Sequence, residues 1–372
     1  MGKWPYHGED EIEAVAEVLR SGRTNYWTGE NVQAFEKEFA AYVGAKYAIA
    51  VTNGTTALEL ALHGVNAHYD RDEWSYEGSA RPRVLCPART FMATASAIAN
   101  AGMQPVLCDI ETDLNVSVST LEERYTTDVM GVIVVHYAGL PCNMPEIRAW
   151  AEERSLWVIE DSAHAHGAFI GAEHVGTFGD IGCFSFCVGK IMSTGGEGGI
   201  VVTNDEHLYR RMAARRDHGR YQIAGSKDMT KFEYSVQEFG SNLRMTEMQS
   251  AIGRIQLKKL DGWVARRNEI AARYAEILTE QQPVPSGYRH ARYMAIYQVE
   301  GRDQLLKALN DRGVPARWGG CPDLRHEPVF GGRQPENPNA EEIGRHTLML
   351  PCYPTYTDAE ITDICKILRE EI

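Results

Sequence analysis

Apolar positions recur along this chain with two different spacings. Ile12, Val15, Val18 and Leu19 share one helical face, closed by Gly22; Val32, Phe35, Phe39 and Val43 share another, closed by Gly44. Tyr47-Ala-Ile-Ala-Val51 then reads as a strand that runs through Thr52-Asn53-Gly54-Thr55-Thr56 into a helical stretch, Ala57 to Leu62. Short runs rich in β-branched residues follow at Val84–Cys86, Val106–Cys108, Val132–Val135, Trp157–Ile159 and Ile200–Val202, several separated by helical stretches. Strands that are apolar throughout, rather than on alternate positions, predict an α/β fold with a mainly parallel sheet covered on both faces.

The last third has a different pattern. Thr246-x-x-Gln249 is a capping-box signature, and Met248, Ile252, Ile255 and Leu260 predict a long amphipathic helix behind it, reaching Tyr274. After Pro283 and Pro285 the spacing predicts a strand near Met294–Val299 and a helix near Leu305–Leu309. A final helix is opened by Thr357-x-x-Glu360 and carries Ile361, Ile364 and Leu368. The expected division is a large unit over residues 1–250 and a smaller α+β unit over 251–372. Three polar segments interrupt the pattern, at 66–83, 218–240 and 318–344, and loops of that length are often functional.

Length and composition narrow the class. With 372 residues, 44% hydrophobic and 24% charged, the chain fits a globular protein of two units. A net charge of −13 disfavours nucleic acid as a partner. No apolar segment is long enough for a membrane span, and the N-terminal residues lack a signal-peptide pattern, so a cytoplasmic protein is expected. The eight cysteines are scattered without a CxxC pair, which predicts reduced thiols.

Three segments carry chemistry. In the strand–Asn53-Gly54-Thr55-Thr56–helix turn, glycine allows close backbone approach and the helix start offers N–H groups to an anion such as phosphate. Trp157-Val-Ile-Glu-Asp161-Ser-Ala-His164 ends an apolar strand in an acid, at the edge where open α/β sheets bind ligands. Asp161 there is suited to a metal, a helix cap or a cation; Asp161, His164 and His166 find no further ligand-spaced cluster, so no metal is expected. Ser185-Phe-Cys-Val-Gly-Lys190 precedes Gly195-Gly-Glu-Gly-Gly199, placing a lysine in an apolar setting that lowers its pKa, as a Schiff-base lysine requires. An ordinary surface lysine is the alternative for that position.

In this order, and joined by Pro87-Ala-Arg-Thr-Phe91, Gly240-Ser-Asn242-Leu-Arg244-Met-Thr-Glu247 and Leu350-Pro-Cys-Tyr-Pro354, these motifs resemble the DegT/StrS family of sugar and cyclitol aminotransferases along nearly the whole chain. The resemblance implies the fold of the type I pyridoxal-phosphate enzymes, with a seven-stranded-type sheet in the large unit, and pyridoxal 5′-phosphate as cofactor. It implies Lys190 as the residue that holds the cofactor and moves the substrate proton, and Asp161 as the partner of the pyridine nitrogen. Phe91 would stack on the ring, His164 would lie near its phenolic oxygen, and Gly54, Thr55 and Ser185 would bind its phosphate. Asn242 would reach the cofactor of a second subunit, which implies a homodimer with shared sites.

Arg244 would either clamp the donor's carboxylate or pair locally with Glu247. Arg89 stands where many relatives carry an apolar residue; it would read an acidic acceptor or pair with a neighbouring acid. The implied reaction moves an amino group from an amino acid, glutamate or glutamine, to a keto-sugar, nucleotide-linked or free. A keto-cyclitol (inosose) or a keto-octulosonic acid is the alternative acceptor. A sugar dehydratase, a sulfur-amino-acid lyase and a non-enzymatic regulator on the same scaffold are the remaining rivals.

Overall fold

A computed structural model describes residues 3–68, 81–222, 234–330 and 336–372. Most of the expected insertion at 66–83, and the middles of the 218–240 and 318–344 segments, lie outside the described residues.

Helix α1 (Glu9–Ser21) and helix α2 (Asn31–Val43) form where the apolar spacing places them. Val32, Phe35, Phe39 and Val43 are all buried, as their shared face requires. In α1 the outcome differs: Val18 is buried, but Ile12 and Leu19 are more than half exposed. What α1 buries is Glu11, whose carboxylate accepts hydrogen bonds from Gln256 (2.7 Å) and Lys259 (2.6 Å) of the long helix, so polar contacts orient this helix.

The sheet contains β1 (Tyr47–Val51), β2 (Arg83–Pro87), β3 (Gln104–Cys108), β4 (Val129–Val135), β5 (Trp157–Asp161), β6 (Ile181–Ser185) and β7 (Gly199–Thr203). Its spatial order is β1-β7-β6-β5-β4-β2-β3. Only β7 runs against its neighbours; the other ladders, β6·β5, β5·β4, β4·β2 and β2·β3, are parallel. The strand centres are fully buried, which explains their unbroken apolar runs. Helix α3 (Gly54–His68) follows β1 directly.

Helix Glu247–Ala275 runs unbroken through the boundary expected at residue 250. Its capping box forms as the sequence predicts: Thr246 Oγ1 accepts the Gln249 N–H, and Gln249 Oε1 accepts the Thr246 N–H at 3.0 Å. Its first half packs on α1 and α2. Its far end (Ile270, Ala271, Tyr274) joins Tyr297, Leu309, Leu348, Ile361 and Leu368 in a separate core. That core backs a four-stranded antiparallel sheet ordered Thr279–Glu280, Ala295–Gln298, Thr347–Leu350, Arg317–Trp318. The helices Arg302–Asp311 and Asp358–Glu371 cover it, the second opened by the expected Thr357/Glu360 box. Among the described residues all eight cysteines are free, and no helix is long and apolar enough to cross a membrane.

Candidate active site

The parallel strands place their carboxyl ends along one edge, and the site forms there. Asp161 closes β5, Ser185 closes β6, and Gly54 follows β1 after a two-residue turn. Register aligns them: Asp161 pairs with Cys183, Ser185 with Gly199, and Gly199 with Val51. A cavity of about 620 Å³ opens at this edge, lined by Gly54, Thr55, Phe91, Asp161, His164, Ser185 and Lys190 among others. Seven of the residues singled out in the sequence, drawn from four separate stretches, therefore meet.

The turn before α3 is built for close approach. A Cβ on Gly54 would lie 2.6 Å from Ser185 Cβ, and one on Gly199 only 2.3 Å from the Asn53 carbonyl. Asn53 Oδ1 accepts the Thr56 N–H at 2.9 Å, capping the helix, and Gly54 and Thr55 of that first turn line the cavity. The Ser185 hydroxyl lies against that turn.

Asp161 is buried, and burial pushes its carboxyl above the usual range; the Ala163 N–H at 3.1 Å, the Thr94 hydroxyl at 2.9 Å and the Lys190 ammonium oppose that rise. A carboxylate so placed gains most from a cation set against it. Beside it, burial pushes Lys190 below its ordinary value, with Asp161 pulling the other way. His164 is held neutral by burial, and its Nδ1 accepts the Ala138 N–H at 3.3 Å. Phe91 stands at the cavity mouth with 65% of its surface exposed. His166, from the weighed metal trio, packs into the core against Phe184 and Phe186.

Three expected residues do not line the cavity. Arg89 is buried and donates to the carbonyls of Ala340 (3.1 Å) and Gly319 (3.2 Å), clipping the exit of β2 to the smaller unit. Arg244 pairs with Asp217 rather than with Glu247. Glu247 is taken elsewhere: its carboxylate accepts the Asn31 and Val32 N–H groups at 2.7 and 3.0 Å, capping α2, where the helix dipole favours an anion. Asn242 is exposed on this chain, bridged through its backbone to Asp217.

The structure adds residues the sequence did not flag. Thr94 orients Asp161 from three positions beyond Phe91, and no motif marks it. Tyr293, Met294 and Cys321 reach the cavity from segments next to strands Ala295–Gln298 and Arg317–Trp318. Tyr293 stacks on His164, ring centroids 4.3 Å apart, and its ring lies 4.8 Å from Lys190 Nζ.

Comparison with known proteins agrees with this geometry. The sequence model of the DegT/DnrJ/EryC1/StrS aminotransferase family matches residues 5–369. The chain is 34% identical to the spore coat polysaccharide biosynthesis protein SpsC of Bacillus subtilis, over 98% of this chain and 95% of that protein. It is 32% identical to a UDP-N-acetyl-3-dehydro-alpha-D-glucosamine 3-aminotransferase of Acidithiobacillus ferrooxidans, over 98% and 94%. Among solved structures, an aminotransferase from Psychrobacter cryohalolentis superposes with a TM-score of 0.90 at 36% identity, covering 99% of this chain and 98% of that one. With a family match along its length and a lysine, an acid and a glycine turn converging on one cavity, the chain belongs to the DegT/DnrJ/EryC1/StrS family and is a pyridoxal-phosphate-dependent aminotransferase.

Proposed function

We propose that the protein transfers an amino group from an amino acid, glutamate or glutamine, to a nucleotide-linked keto-sugar in amino-sugar biosynthesis. One observation carries the catalytic part: Lys190 and Asp161 face the same cavity, whose floor at Gly54 admits no Cβ. The residues present fit pyridoxal phosphate. Lys190 would hold it, Asp161 would pair with its pyridine nitrogen, and His164 would lie at its phenolic oxygen. Phe91 would cover its ring, and Gly54, Thr55 and Ser185 would bind its phosphate. When bound, the cofactor supplies the electron sink for charge left at the carbon that loses its proton.

The protein's own groups do the rest. Lys190, with its proton affinity lowered by burial, takes the proton at Nζ from the donor's α-carbon and later returns one to the cofactor side. Asp161 stays ionised against the cation it faces, held in place by Thr94 and Ala163. His164, neutral, offers a hydrogen bond without adding charge.

Asn242 is proposed to act on the site of a second copy, which makes the unit a homodimer. Its exposure in one chain supports this, as do Phe239 (90% exposed) and Val236 (59%) on the neighbouring segment. The division at residue 250 belongs to the same proposal: the larger unit would hold the cofactor and the smaller one would close over it. One relative is named for a UDP-linked dehydro sugar, which supports a nucleotide-linked acceptor here.

The test is an assay of glutamate and glutamine against keto-sugars linked to UDP, GDP and dTDP, reading the amino sugar by mass spectrometry. Amination of one nucleotide-linked sugar is the expected result. Turnover of an inosose or a keto-octulosonic acid alone would reject the nucleotide-linked acceptor.

A further inference from the structure

The geometry points to Tyr293 as a positioning residue for Lys190: its ring face holds the Nζ ammonium, while Arg267 and Trp4 fix the ring and the lysine's backbone. This rests on Lys190 being the cofactor-linked, proton-moving residue.

Four contacts close into a loop. Lys190 Nζ lies 4.8 Å from the centroid of the Tyr293 ring, within cation–π range. The Trp4 indole N–H donates to the Lys190 carbonyl at 2.9 Å, across 186 positions of sequence. Arg267 Nη1 donates to the carbonyls of Arg292 and Tyr293, each at 3.3 Å. The Arg267 guanidinium also sits 4.9 Å over the Trp4 ring. Arg267 is fully buried and, among the described residues, its hydrogen bonds go to the Arg292 and Tyr293 carbonyls and Cys352 Sγ, not to a carboxylate. A buried cation without a counter-ion is costly, so its place between these two segments calls for a reason beyond packing.

The backbone adds a second observation. Arg292, immediately before Tyr293, has φ of +54°, a left-handed conformation that a side-chain-bearing residue rarely adopts. Its N–H is tied to His290 Nδ1 at 2.9 Å and its guanidinium to Glu280 at 2.7 Å. The chain holds this strained turn while directing the Tyr293 ring into the cavity. The ring meets a lysine also faced by Asp161 of β5, by Cys187 and Glu197 of the glycine-rich turn, by Cys321 of the smaller unit, and by His164 and His166. Among these, the aromatic face attracts the ammonium without accepting its proton.

The experiment compares the holoenzyme with Tyr293→Leu and Tyr293→Phe. Acetylation of Lys190 by acetic anhydride is followed against pH by peptide mass spectrometry, after the amino donor has freed the amine. Loss of the ring face in Tyr293→Leu lowers the lysine's proton affinity by about 3- to 30-fold, whereas Tyr293→Phe keeps it. A rise in Tyr293→Leu would mean that the ring only excluded water, and overturns the proposal, as does an unchanged value. Trp4→Phe keeps a six-membered ring against Arg267 and removes the N–H together with the pyrrole ring; it lowers kcat by about fivefold with the donor KM unchanged, and a wild-type kcat counts against the loop. If pyridoxal phosphate gives Lys190 of the unmodified protein no protection before donor is added, the assignment of Lys190 itself fails, and this inference with it.

Discussion

Asp161 shows how one side chain is prepared by its surroundings. Burial pushes its carboxyl up; the Ala163 N–H, the Thr94 hydroxyl and Lys190 favour the anion that the proposed pairing with a cationic ring nitrogen would use. Asp161→Asn keeps the shape and removes the charge. It lowers the rate of the donor half-reaction by about 10²- to 10³-fold while pyridoxal phosphate still binds, measured by stopped-flow absorbance. Thr94→Val removes one hydrogen bond from a buried acid and costs about 1–3 kcal/mol of that same stabilisation, a drop of about 5- to 150-fold. Asp161 was legible in the sequence because a terminal acid interrupts an apolar strand. Thr94 and Tyr293 were not: a threonine in a helix and a tyrosine in a loop carry no spacing signal, and their partners lie 67 residues or more away.

At the scale of elements, the turn between β1 and α3 matters most. Its backbone approaches Ser185 so closely that Gly54→Ala forces the turn open, at a cost of about 1–3 kcal/mol. The expected result is a thermal midpoint lower by several degrees and pyridoxal phosphate binding weakened by about tenfold or more, read by fluorescence titration. This turn, the sheet strands and both capping boxes could be read from sequence because their causes are local: apolar runs, glycine, and a Thr-x-x-Gln or Thr-x-x-Glu frame. The predicted face of α1 failed because Glu11 has partners on a helix some 245 positions away. The Arg244–Glu247 pair failed for the same reason, Glu247 being committed to the start of α2. Arg89 reads from sequence as a charge near the site, yet its guanidinium is spent on two carbonyls of the smaller unit.

Across the whole molecule, the sheet edge gathers the chemistry, and Tyr293 and Cys321 line the same cavity from beyond the long helix. Several histidines are buried in this construction. Burial holds His164, His166 and His290 well below the usual value, and His174 at about 4. Their folded affinity for protons is depressed, so the unfolded chain binds protons first as the pH falls. The stability they contribute is therefore complete above about pH 6.5 and is lost progressively toward pH 4, by up to about 1.4 kcal/mol per pH unit for each histidine. Urea midpoints between pH 7.5 and 5 should decline steadily; a flat profile would mean that these rings are hydrated or charged in the folded protein.

The most direct test of the account is reduction of the holoenzyme with borohydride, followed by peptide mapping. A pyridoxyl group is expected on Lys190 alone, lost when donor is added first and absent in Lys190→Ala. A stable label on another lysine, or a yellow and active Lys190→Ala protein, would contradict it.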